Sequence, residues 1–150
     1  MTSTITEEDN KFMELCIELA GECIPVESAY NVGAVLVKDG KVLSTGYSRE
    51  LPGNTHAEEC CYKKLSDPQA AIGATIYTTM EPCSKRLSGL TSCTERTLEA
   101  GVKRVVIGVK EPKLFVNCEG TQLLKEKGLV ISYLEGFEEK CLKVNSHLNI

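Results

Sequence analysis

No stretch of this sequence can cross a bilayer as a helix, because no apolar run approaches the roughly 18 residues that a span needs. A secretory leader is not expected either. Met1 to Lys11 is polar and acidic, with neither a basic n-region nor an apolar h-region, which points to a cytoplasmic protein with no membrane partner. Positive charge is also short: 17 Lys and Arg stand against 21 Asp and Glu, for a formal charge of −4. That balance argues against a nucleic-acid partner, whose phosphates draw an excess of Lys and Arg, while leaving room for a local basic pocket. Internal repeats, low-complexity tracts and Pro/Gly/Ser-rich linkers are absent. At 150 residues, 42% apolar and 25% charged, the expectation is one domain over residues 1–150, burying roughly two thirds of its unfolded surface. Disorder and collagen-like repeats are excluded by composition.

Cysteine, by contrast, is plentiful, with eight residues: Cys16, Cys23, Cys60, Cys61, Cys83, Cys93, Cys118 and Cys141. An even number would suit a disulfide framework, but such frameworks belong to secreted domains. Reduced thiols, some of them metal ligands, fit better. Cys16 and Cys141 read as small buried hydrophobes. Cys60 and Cys61 sit close to Glu58, but only one of them can share a helix face with His56, and packing is the expected role of both. Cys118 is left open between packing and ligation.

The spacing predicts a helix over Thr6 to Ala20, with Phe12, Leu15, Cys16 and Leu19 on one face and Gly21 as its stop. Gly33 to Lys38 reads as a buried strand. Asp39-Gly40 is a type I′ turn signal, and Lys41 to Tyr47 returns as the hairpin partner. A helix is expected from about Thr55 to Leu65, ended by Ser66-Asp67-Pro68. Ala74 to Thr79 reads as a strand running into Met80-Glu81-Pro82-Cys83. Further expected elements are a helix over Cys93 to Ala100, a strand over Lys103 to Val109 and a helix over Thr121 to Lys127. A strand over Leu129 to Leu134 and a final helix over Phe137 to His147 complete the order. Strands alternating with helices after an opening antiparallel hairpin imply a three-layer α/β/α domain. Its sheet is mixed and five-stranded, with parallel later strands, and the site lies at the strands' carboxyl ends.

Two segments at those ends carry chemistry. Thr55-His56-Ala57-Glu58 opens a helix, and Met80-Glu81-Pro82-Cys83 leaves a strand, with Cys93 opening the next helix. His56, Cys83 and Cys93 would give zinc three protein ligands, leaving a fourth tetrahedral position for water, as in a catalytic rather than a structural site. Zinc lowers the pKa of such a water toward 7. Glu58, two residues from His56, is placed to take a proton from it and return that proton to a substrate. Plainer readings exist: Thr55-x-x-Glu58 fits a capping box, and a lone His is commonly a surface polar residue. The joint occurrence of His-x-Glu and Pro-Cys favours zinc.

These residues resemble the zinc nucleobase deaminases of the cytidine-deaminase-like superfamily, whose signature is H-x-E followed by P-C-x-x-C. The match is close at His56-Ala57-Glu58 and Glu81-Pro82-Cys83. Nine residues separate Cys83 from Cys93, where the general signature has two, and an extended loop there is a feature of the riboflavin-biosynthesis pyrimidine deaminases. Gly46-Tyr47-Ser48-Arg49 resembles the substrate loop of that branch, and Gly46 to His56 together with Glu81 to Gly89 look most like the fungal form. The resemblance runs from Val32 to Gly128. It implies Zn2+ as cofactor and hydrolytic removal of an amino group from a small phosphorylated pyrimidine, 2,5-diamino-6-ribitylamino-4(3H)-pyrimidinone 5′-phosphate. Catalysis would fall to Glu58, metal ligation to His56, Cys83 and Cys93, and reading of the ring to the Ala57 backbone. Arg49, Lys85 and Arg86, the basic residues of the flanking loops, would be the phosphate donors, and a homodimer is implied. A reductase domain is not expected, and deamination alone is the expected activity. The chain departs from bacterial members at Ala29, where they carry Asn, and Asn31 is not taken as its replacement.

Rival readings keep the metal and change the rest. A dCMP, free-base or tRNA-adenosine deaminase would use the same chemistry, with the negative charge and the long loop counting against tRNA. A zinc-stabilised interaction module would close its site with a fourth protein ligand from Cys60, Cys61 or Cys118. A redox sensor would show thiol loss on mild peroxide.

Overall fold

The computed structural model describes residues 7–23, 31–52, 55–80, 93–109, 124–134 and 136–145. Helix α1 (Glu7–Ala20) leads into a hairpin of β1 (Gly33–Lys38) and β2 (Lys41–Tyr47), and α2 (Ala57–Lys63) follows. A short 3₁₀ turn (Pro68–Ala71), β3 (Thr75–Met80), α3 (Cys93–Ala100), β4 (Arg104–Val109), β5 (Val130–Tyr133) and a last helix (Glu138–Lys143) complete the order. The five strands form one mixed sheet in the order β2-β1-β3-β4-β5. β1 pairs antiparallel with both β2 and β3, whereas β3, β4 and β5 are parallel. The expected α/β architecture, with its antiparallel hairpin and parallel later strands, is the one observed.

The hairpin turns as its sequence requires. Asp39 and Gly40 both adopt positive φ, 52° and 76°, the type I′ combination whose twist matches the flanking strands. A register shift at Leu36/Val37 then leaves Leu43 as the extra residue of a bulge.

Alternation along the strands divides the core in two. Val35, Val37, Tyr77 and Val106 pack with Phe12, Met13 and Cys16 of α1 and with Phe137 and Cys141. On the other face Ala34, Leu36, Ile76, Val105 and Ile107 meet Ala57, Cys61, Ala71 and Leu124. Thus α1 and the last helix cover one face, and α2 and α3 the other.

The buried face of α1 is rotated from the expected one. Asp9, Phe12, Met13, Cys16 and Ala20 are buried, while Leu15 and Leu19 pack only partly against the core. The rotation follows from Asp9, which is 1% exposed. Both its carboxylate oxygens accept hydrogen bonds at 3.0 Å from the Arg104 guanidinium on β4, and Tyr77 on β3 donates its hydroxyl to Oδ1.

Other elements are shorter than their patterns suggest. α2 begins at Ala57 rather than Thr55 and ends at Lys63. Past it, Asp67 caps the 3₁₀ turn by accepting from the Gln69 amide at 3.1 Å. The last helix stops at Lys143. The expected helix over Thr121 to Lys127 is seen as helical residues 124–126, its start lying outside the described residues.

The buried thiols carry a testable consequence. Burial raises the pKa of Cys16 and Cys61 well above the ordinary 9.0, and pushes Cys141 up to about 12. Thiols of the unfolded chain ionise first as pH rises, so the unfolded state then holds fewer protons and the native state loses stability. Urea midpoints should hold steady below about pH 8.5 and fall steadily from pH 9 towards 12. A midpoint flat across that window would contradict the burial of these thiols.

Candidate active site

β2 runs in the same direction as β3, since two antiparallel pairings intervene. The ends of β2, β3 and β4 therefore open on one side of the sheet, where parallel strands usually carry their sites. The helix starts of α2 and α3, both following these strands, bring His56 and Cys93 there.

The first of these starts is fixed by close approach. At Gly46 of β2, a Cβ would lie 2.2 Å from the carbonyl oxygen of Ala57 and 3.0 Å from the Cys61 amide nitrogen. The helix rests directly on strand backbone, and only glycine leaves the room. Gly46→Ala should therefore push the His56-bearing helix start off the sheet and cost about 1–3 kcal/mol, read as a lowered urea midpoint. An unchanged midpoint would contradict this seating.

His56 is the N-cap of α2, in extended conformation (φ −90°, ψ 160°). The capping glutamate is Glu59 and not Glu58: a Glu59 carboxylate oxygen accepts from the His56 amide at 3.1 Å. Thr55, the expected cap, instead donates its hydroxyl to the Leu51 carbonyl at 2.9 Å. The capping reading of Glu58 is thereby corrected, and its carboxylate is released from helix duty. Glu58 is 3% exposed. Its Oε1 accepts from the buried Thr78 hydroxyl at 2.6 Å, and that hydroxyl also lies 2.8 Å from the Met80 carbonyl oxygen. Thr78, which nothing in the sequence singles out, ties Glu58 to the end of β3.

Ala57 is buried at the first position of α2. Arg49, at positive φ (64°), follows β2 at the same end of the sheet. Its Nη2 donates to Asn31 Oδ1 at 2.6 Å, and partial burial lowers its pKa. Asn31 also donates its side-chain amide to the Val144 carbonyl at 3.1 Å, and Asn145 donates to the Asn31 carbonyl at 3.1 Å. Asn31 thus links the start of β1 to the end of the last helix. Cys83, Lys85, Arg86 and Cys118, and the side chain of Cys93, lie outside the described residues.

The donor set suits zinc. A neutral imidazole and two thiolates are borderline-soft donors of the kind zinc takes, and their two negative charges balance the dication. The structure sets His56 at one helix start, begins α3 at Cys93 and ends β3 three residues before Cys83. Cys60 and Cys61 are packing residues: both are fully buried, with their sulfurs directed to the carbonyls of Tyr47 (3.6 Å) and Ala34 (3.4 Å). Cys16, Cys23, Cys60, Cys61 and Cys141 are all buried and unbridged, and burial of this kind makes a thiol inert.

A mixed sheet between two helix layers, with His-x-Glu opening one helix and a Pro-Cys segment leaving the neighbouring strand, defines the zinc-dependent nucleobase deaminases. The chain belongs to the cytidine and deoxycytidylate deaminase zinc-binding family, whose model matches residues 6–109. It is 48% identical over 136 residues to the diaminohydroxyphosphoribosylamino-pyrimidine deaminase of Schizosaccharomyces pombe, covering 89% of this chain and 34% of the relative. It is 34% identical over 131 residues to riboflavin biosynthesis protein RibD of Aquifex aeolicus, covering 85% of this chain and 35% of that protein. Among solved structures, a C-terminally deleted Aspergillus oryzae Rib2 deaminase in complex with DARIPP superposes with a TM-score of 0.80 at 32% identity, covering 92% of this chain and 90% of that one. The chain spans about a third of the length of the curated relatives it matches.

Proposed function

We propose that this chain hydrolyses the 2-amino group of 2,5-diamino-6-ribitylamino-4(3H)-pyrimidinone 5′-phosphate, releasing ammonia in riboflavin biosynthesis. The observation that carries the reading is the state of Glu58: buried, free of the helix cap and anchored by Thr78 beside His56. The identity to riboflavin deaminases supports the choice of substrate.

His56, Cys83 and Cys93 would hold zinc, which when bound supplies Lewis acidity and makes water a competent nucleophile at neutral pH. Glu58 accepts a proton from the attacking water and delivers it to the ring nitrogen beside C2. As the C2–amine bond breaks, the same carboxylate passes the second water proton to the departing nitrogen. Water's oxygen stays on C2, and ammonia leaves. The Ala57 backbone reads the ring, while Arg49, Lys85 and Arg86 receive the phosphate, a guanidinium being suited to bidentate contact. The domain over residues 1–150 would act as a cytosolic homodimer.

A substrate panel tests the proposal: the ribitylamino pyrimidine phosphate, its dephosphorylated form, dCMP and cytosine, each followed by ammonia release. Turnover of the first with a raised KM for the second is expected. Preferential turnover of dCMP or cytosine would overturn the substrate while retaining the chemistry.

A further inference from the structure

Glu59 does more than cap α2. It is 2% exposed, and its second oxygen, Oε2, lies 3.2 Å from Nη2 of Arg96 on α3 and 2.8 Å from Nζ of Lys63 on its own helix. The two partners differ in kind. Lys63 is half exposed and an i,i+4 neighbour, a pairing of small value in water. Arg96 is far less exposed and crosses between helices.

The placement is symmetrical about the proposed metal ligands. Glu59 stands three residues past His56, and Arg96 three residues past Cys93, each one helical turn beyond. A second contact joins the Tyr62 hydroxyl, one turn past Glu59 on α2, to the hydroxyl of the fully buried Thr97, the residue after Arg96 on α3, at 3.0 Å. The helices that begin with His56 and Cys93 are therefore joined by two side-chain contacts. In the first of these a single carboxylate reaches both helix starts: Oε1 holds the His56 amide and Oε2 the α3 guanidinium.

We propose that Glu59 and Arg96 are positioning residues of the metal site, a clamp that sets the separation of the His56 and Cys93 helix starts and thereby the affinity for zinc. The proposal rests on the ligand assignment made above. A metal needs its donors at fixed separation, and partners outside the ligand shell typically govern affinity by about 10–100-fold. Loosening either end of the clamp lets α3 shift against α2. It removes no ligand and no group that touches substrate.

The test is the zinc dissociation constant of the holoprotein, read by competition with a chromophoric chelator, for Glu59→Gln, Arg96→Met, the double variant and Cys93→Ser. Glutamine keeps an acceptor for the His56 amide, so the cap survives while the ionic link is lost, and far-UV circular dichroism checks each fold. Each single variant should weaken zinc binding about 10- to 100-fold, with the double variant no weaker than the worse single one. Wild-type affinity in both single variants, or losses that simply add, would overturn the clamp. If Cys93→Ser nonetheless loses zinc, the ligand assignment stands without it. Zinc held at wild-type affinity by Cys93→Ser would overturn both.

Discussion

Glu58→Gln is expected to lower kcat by about 10²–10⁴-fold, the range typical of a lost general acid–base group, with zinc content unchanged. Glutamine matches glutamate in size and keeps an oxygen for the Thr78 hydroxyl, which now lies 2.6 Å from Oε1. The seat at the start of α2 should therefore be preserved. The amide cannot accept the proton of the attacking water. Because the helix cap is provided by Glu59, the loss cannot be ascribed to a frayed helix, and the urea midpoint should match the wild type. Zinc determination alongside kcat checks both halves. Activity within a few-fold of wild type would remove Glu58 from the chemistry.

The largest effect on stability is expected far from the site, at Asp9→Ala. The carboxylate binds Arg104 through two 3.0 Å hydrogen bonds and accepts a third from Tyr77. The Asp9 side chain is 2% exposed and that of Arg104 16%. Removing the anion strands a largely buried guanidinium and leaves the Tyr77 hydroxyl without its acceptor. Breaking a buried pair from one side typically costs about 3–5 kcal/mol, which for a chain of this size lowers Tm by about 6–20 °C. The double variant Asp9→Ala/Arg104→Met should recover part of the loss, since no unpaired charge remains. Thermal unfolding followed by circular dichroism decides. A Tm shift below about 2 °C for Asp9→Ala would show the pair to be worth no more than a surface one.

Asp9 also shows where local reading stops. Helical periodicity favours Leu15 and Leu19 for the core, yet the helix turns to bury an acid, because its partner arrives 95 residues later on β4. No window within α1 contains that information. The hairpin was legible for the opposite reason: a two-residue turn with positive φ at both positions is decided by Asp39 and Gly40 themselves. The parallel half of the sheet followed from strand–helix alternation, a rule of connection rather than of contact.

The candidate site divides in the same way. His56 and Glu58 are two residues apart, so their joint presence at a helix start is visible in one motif. The cap was misplaced by one position because Thr55 and His56 are each followed three residues later by a glutamate, and only the observed hydrogen bonds choose between the two frames. Thr78 and Arg96 could not be found locally, standing 20 residues from Glu58 and 37 from Glu59 in sequence. β3 carries Thr75, Thr78 and Thr79, and nothing local sets Thr78 apart from the other two.

The central claim is hydrolysis at a pyrimidine carbon, and it is tested most directly by oxygen labelling. The zinc-loaded protein is incubated with 2,5-diamino-6-ribitylamino-4(3H)-pyrimidinone 5′-phosphate in ordinary and in 18O-enriched water, and the pyrimidine is weighed by mass spectrometry. Exchange of the amino group for water's oxygen predicts a gain of about one dalton in ordinary water and about three daltons in labelled water, with one ammonia released per pyrimidine. An unchanged mass in both, from protein confirmed to hold zinc, would contradict the assignment.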